Sequence, residues 1–106
     1  MIQLVCVYNS QCPLPPWIND PVWINSIKSK ILQLHNQKYS NKPIQIHDIK
    51  IVPIEIPLHT TQLPDYGVQL SSLPSVFMYQ NGDSNTSVLG DCSKKGIDFL
   101  VDEYFT

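Results

Sequence analysis

The reactive side chains of this 106-residue sequence are three cysteines and three histidines. Cys12 follows a break in the apolar pattern, Asn9-Ser10-Gln11, and precedes Pro13-Leu14-Pro15-Pro16. A loop thiol in such a setting can attack a disulfide or carry a mixed disulfide, provided its thiolate is stabilised. Cys6 sits inside the apolar run Ile2 to Tyr8 and reads as a small buried hydrophobe. Six residues of extended chain, about 20 Å, separate it from Cys12, so it is poorly placed to resolve a Cys12 adduct. Cys92 falls in a loop before the last helical pattern. His35, His47 and His59 fall on a helix, a loop and a strand end, without ligand spacing, so no metal site is expected. Nothing in the sequence sets a histidine beside Cys12, which argues against a cysteine–histidine hydrolase.

Composition narrows the partners. The formal net charge is −2, and all seven basic residues are lysines. Arginine is the usual fork for phosphate and guanine edges, so its absence points away from nucleic acid. The acidic balance likewise points away from an anionic membrane surface, and no apolar segment is long enough to span a bilayer. Met1 to Tyr8 is short, lacks a basic flank and lacks a small-residue cleavage site, so it does not read as a signal peptide. An odd cysteine count does not complete a set of internal disulfides, which predicts a reducing, cytoplasmic or similar compartment. Asn85-Thr86-Ser87 matches a glycosylation acceptor, with meaning only if the protein is secreted.

The elements that must position these residues follow from periodicity. The length suits one domain, 1–106. Ile2 to Tyr8 is rich in branched residues and predicts a buried strand. The prolines from Pro13 to Pro21 bias their neighbours to extended backbone. Asp20 as N-cap and Pro21 as first helical residue open a helix, with Trp23, Ile27, Ile31 and Leu34 as its apolar stripe. It fades near Tyr39 to Lys42. Ile49 to Ile56 is a second strand, and Pro53 inside it predicts a sheet edge or a bulge. Leu58 to Ser72 reads as loop, with one helical turn around Tyr66. Ser75 to Gln80 is a third strand, Asn81-Gly82 a hairpin turn, and Thr86 to Leu89 the returning strand. Ile97, Leu100, Val101 and Tyr104 mark a final helix from about Ser93; its Asp98, Asp102 and Glu103 read as a solvated face. The expectation is an α/β domain with a central mixed sheet flanked by helices.

Several of these segments resemble known ones. Asp65-Tyr66-Gly67-Val68, then Leu73-Pro74-Ser75-Val76-Phe77-Met78-Tyr79-Gln80-Asn81-Gly82-Asp83, resembles the cis-proline hairpin of thioredoxins. Leu89-Gly90 and Ser93-Lys94-Lys95 continue the match, which covers about half the chain. Val5-Cys6-Val7-Tyr8, three residues, then Cys12-Pro13 resembles the opening of glutaredoxins, and Leu89-Gly90-Asp91-Cys92 weakly resembles their glutathione loop. The resemblance implies a thioredoxin-like fold, a cis peptide before Pro74, and a helix N-terminus that stabilises the Cys12 thiolate.

The departures bear on chemistry. Pro15 stands where the resolving cysteine would be, Gln11 replaces the tryptophan before the nucleophile, and Cys6 takes the position of the buried carboxylate. A thioredoxin-type disulfide reductase is therefore not expected. Two main readings stand open. In the first, a redox-impaired domain binds a protein or peptide along the Cys12–Pro74 edge, with Leu73 and Ser75 offering backbone to an added strand and Pro13 beside them. Trp17 then serves as an exposed aromatic anchor or covers the core; composition allows both. In the second, Cys12 is the nucleophile of a monothiol, glutathione-linked oxidoreductase. No cofactor is expected in the first reading; glutathione is possible in the second. A further possibility is a subunit whose extra loop docks into a larger assembly.

Overall fold

A computed structural model describes residues 1–80 and 88–106. The expected Asn81-Gly82 turn and the residues Asp83 to Ser87, including the acceptor triplet, lie outside the described residues. The first strand, β1, spans Ile2–Tyr8, and α1 spans Pro21–Lys38. Then come β2 (Ile49–Glu55), a two-residue pair β3 (Gln62–Leu63) and β4 (Val68–Gln69), β5 (Ser75–Gln80) and α2 (Lys94–Tyr104). Short 3-10 turns at Pro16–Asn19 and Ile46–Asp48 lead into α1 and β2.

The main sheet is mixed, in the order β2-β1-β5. β2 runs parallel to β1 from Ile2↔Ile49 to Tyr8↔Glu55, and β5 runs antiparallel to β1 from Ile2↔Gln80 to Val7↔Ser75. Of the expected returning strand, the described part is one antiparallel bridge, Val76↔Leu89. The α/β class and the central mixed sheet thus stand.

Pro53 explains why β2 is an edge. Ile56 donates its N–H to the Tyr8 carbonyl at 2.9 Å, so residues of the same parity on β2 face β1. Pro53 is of the opposite parity. Its missing N–H falls on the outer side, where no ladder bond is lost.

Strand alternation sorts the core into two faces. Ile2, Leu4, Cys6, Val76 and Met78 cluster with Ile27 and Ile31 of α1 and Ile97, Leu100 and Val101 of α2. Val5, Val7 and Phe77 cluster on the other face with Ile56, Val68 and Leu70. Both helices therefore cover one face, and the segment around β3 and β4 covers the other. That segment was expected as loop with a turn near Tyr66. The turn is there, with Tyr66 N–H to Leu63 O at 3.1 Å and Gly67 N–H to Pro64 O at 3.2 Å. Gly67 takes a positive φ of 65°, a conformation open to glycine without a Cβ penalty. The tiny hairpin it closes has strands too short to leave a period-two pattern.

Both helices begin where local chemistry directs. The Asp20 carboxylate accepts the Trp23 N–H at 3.2 Å, with Pro21 at the first helical position. Ser93 Oγ accepts the Gly96 N–H at 3.0 Å. The α1 stripe differs from expectation at its end: Ile27, Ile31 and His35 are buried, and Leu34 is half-buried. The His35 ring packs between Tyr39 and Phe105, with centroids at 5.0 and 6.2 Å. Across the helices Lys30 meets Asp98 at 2.6 Å and Asp102 at 3.0 Å, and Lys94 meets Asp20 at 3.2 Å. These exposed pairs orient the helices more than they stabilise them. No helix among the described residues is long and apolar enough to cross a membrane.

Candidate functional site

The β1–β5 ladder ends at Val7↔Ser75, so the chain leaving β1 and the chain entering β5 emerge at the same end of the sheet. The approach to α2 reaches that end as well. A Cβ on Gly90 would lie 2.8 Å from Ser72 Oγ, so the segments around residues 72 and 90 are packed together there.

The Cys12 loop is tied by Asn9. The two residues exchange backbone bonds, Asn9 N–H to Cys12 O at 3.3 Å and Cys12 N–H to Asn9 O at 3.2 Å. The buried Asn9 side chain also accepts the N–H of Gln11 at 3.0 Å and of Cys12 at 2.7 Å. This is the side-chain-to-backbone turn for which asparagine is suited. Cys12 is half-buried, in the loop that leaves β1. The main helix starts at Pro21, as the proline stretch and the Asp20-Pro21 pair predict, after an extended stretch and a 3-10 turn. Cys12 N–H is engaged by Asn9, and α1 begins further along the chain, at Pro21.

The other two thiols are inert by burial. Cys6 is fully buried, and desolvation, with Cys92 as a second cause, pushes its thiol up to about 12. Cys92 is also buried; desolvation and then the charge of Asp91 push its thiol up to about 11. Cys92 lies in the loop before α2, as expected, and its side chain belongs to the same core cluster as Cys6 and Trp17. Neither can serve as a resolving nucleophile without leaving the core.

Trp17 is not an exposed anchor. It is 4% exposed, its ring lies 4.8 Å from that of Trp23, and its Nε1–H donates to the Cys92 carbonyl at 2.6 Å. A buried indole needs such an acceptor, and the one available fixes the Pro16–Asn19 turn against the α2 approach. Ser75 is 1% exposed, with its Oγ donating to the Ser72 carbonyl. Leu73 and Pro74 are half-buried, and the peptide between them is cis. Among the described residues no hydrogen bond uses the backbone N–H or C=O of Leu73. Pro13 is exposed.

No group of three or more His, Cys, Asp or Glu that could hold a metal ion occurs among the described residues. Searched against models of known protein families and against curated proteins, the sequence matches none.

Proposed function

We propose that this chain is a thioredoxin-like domain that has lost dithiol exchange and binds an extended protein or peptide segment at the rim formed by Cys12, Leu73 and cis-Pro74. The observation that carries the reading is the backbone of Leu73, which makes no hydrogen bond among the described residues and lies two residues before Ser75, where the β1 ladder ends. An N–H and a C=O at such an edge accept a further strand, the usual route of β-augmentation. The strand order and the parallel and antiparallel neighbours of β1 support the thioredoxin-like reading. Pro15 at the resolving position, the buried state of Cys6 and Cys92, and the late start of α1 support the loss of dithiol exchange.

Cys12, half-buried where Cys6 and Cys92 are buried, favours a second reading, a monothiol exchange in which its thiolate attacks one sulfur of glutathione disulfide, forms a mixed disulfide and releases a glutathione thiolate. The two are separated by one variant. Peptides are selected from a random display library against the native protein and then titrated against Cys12→Ser. The binding reading expects affinity within about twofold of wild type, since a backbone edge needs no sulfur. Loss of binding at unchanged stability, or a Cys12 glutathione adduct that free glutathione removes catalytically, supports the second reading instead.

A further inference from the structure

The proline stretch after Cys12 has a structural use that strand pairing at Leu73 does not require. Pro13-Leu14-Pro15-Pro16 places prolines three residues apart, at Pro13 and Pro16. Pro15 has φ −62° and ψ 159°, within the polyproline II basin, and no regular element claims residues 13–15. A polyproline II helix has three residues per turn, so residues i and i+3 share one ridge. The exposures follow that period. Pro13 and Pro16 are exposed, Pro15 is half-buried, and Leu14 packs against the helical-face core. The ridge is held at both ends, by the Asn9 turn on one side and by the buried Trp17, bonded to Cys92 O, on the other. Its conformational entropy is thus largely lost on folding rather than on binding.

We propose that the Pro13–Pro16 ridge is a preformed ligand for a partner domain with an aromatic-lined polyproline groove of the WW kind. Aromatic grooves take exposed prolines at this spacing. Charge argues for a groove that relies on aromatic faces rather than acidic side chains: no lysine or arginine precedes Lys28 in the chain, and Lys94, which lies over Trp23 beside Trp17, is paired with Asp20 at 3.2 Å.

The test uses the whole chain, labelled with nitrogen-15, titrated with a panel of isolated WW domains and, in parallel, isolated SH3 domains. The expected result is saturable binding to one or more WW domains, with shifts centred on residues flanking the ridge. The double variant Pro13→Ala/Pro16→Ala weakens it at least about tenfold at unchanged melting temperature. Leu73→Asp, which alters the strand-pairing edge, leaves WW binding unaltered. The proposal is overturned if no WW domain binds at millimolar concentration, if only SH3 domains bind, or if the double variant binds as wild type does.

Discussion

The Asn9 side-chain oxygen accepts the Cys12 N–H at 2.7 Å, and this bond decides what kind of loop the thiol occupies. It closes a turn whose other side-chain bond goes to Gln11 N–H. The turn holds Cys12 at the end of β1 rather than at the start of a helix. A thiol so placed is anchored at the end of β1, and α1 opens only at Pro21.

Removing that anchor has a predicted outcome. Asn9→Ala removes the side-chain acceptor of Gln11 N–H and leaves Cys12 N–H only its backbone bond to Asn9 O, in a partly buried turn, and lowers stability by about 1–2 kcal/mol. Urea unfolding measures the loss, and alkylation of Cys12 in the native state accelerates as the turn loosens. Asn9→Asp, which keeps the acceptor, retains most of the stability.

Trp17→Phe probes the second anchor. The substitution keeps an aromatic ring but removes the donor to Cys92 O, leaving a buried carbonyl without its partner. The expected destabilisation is about 1–3 kcal/mol. Trp17→Ala adds a cavity and reaches about 3–5 kcal/mol. Both are read from chemical denaturation.

The buried thiols predict alkaline sensitivity. In the unfolded chain Cys6 and Cys92 titrate near the ordinary value of 9.0, whereas burial holds them at about 12 and about 11 in the fold. Above the unfolded value the unfolded state releases protons that the folded state retains. Stability is therefore full below about pH 9 and falls as pH rises toward the folded values, by up to about 1.4 kcal/mol per pH unit for each thiol. Urea midpoints across this range measure the slope, and Cys6→Ala flattens it. In the native state at neutral pH, alkylation followed by peptide mass spectrometry finds Cys12 modified well before Cys6 or Cys92.

Gly96→Ala sets two effects against each other. Alanine gains about 1 kcal/mol of helix propensity over glycine. The added Cβ, however, would lie 2.4 Å from the Asp91 carbonyl oxygen and 2.6 Å from its Cγ. Backbone contact at that distance forces the α2 approach to shift, and overpacking of this kind costs about 1–3 kcal/mol, so the variant is less stable than wild type. A thermal melt gives the sign.

What the sequence made legible was what local pattern dictates. Ile2 to Tyr8 and Ser75 to Gln80 are strands at the expected bounds, because continuous branched and aromatic runs leave few alternatives. Asp20-Pro21 and Ser93 start their helices as capping chemistry requires. The edge position of β2 followed from one missing N–H. Tertiary choices were not legible. Trp17 was open between surface and core, and its burial depends on an acceptor 75 residues away at Cys92. His35 entered the α1 stripe because Tyr39 and Phe105 supply rings around it, a pairing that helical spacing alone does not reveal. Ser75 looked available beside Pro74, yet strand alternation turns it inward. The Asn9 turn had a visible signal: an asparagine directly after a strand, two and three residues before the N–H groups it binds.

The most direct test of the account is amide hydrogen exchange at Leu73, with and without a bound peptide selected against the native protein. The account predicts that the free Leu73 amide exchanges rapidly and slows at least about tenfold on binding, as a new strand takes it up. The same protection is expected in Cys12→Ser. A Leu73 amide that stays unprotected while the peptide is bound, or a peptide that no longer binds Cys12→Ser, contradicts it.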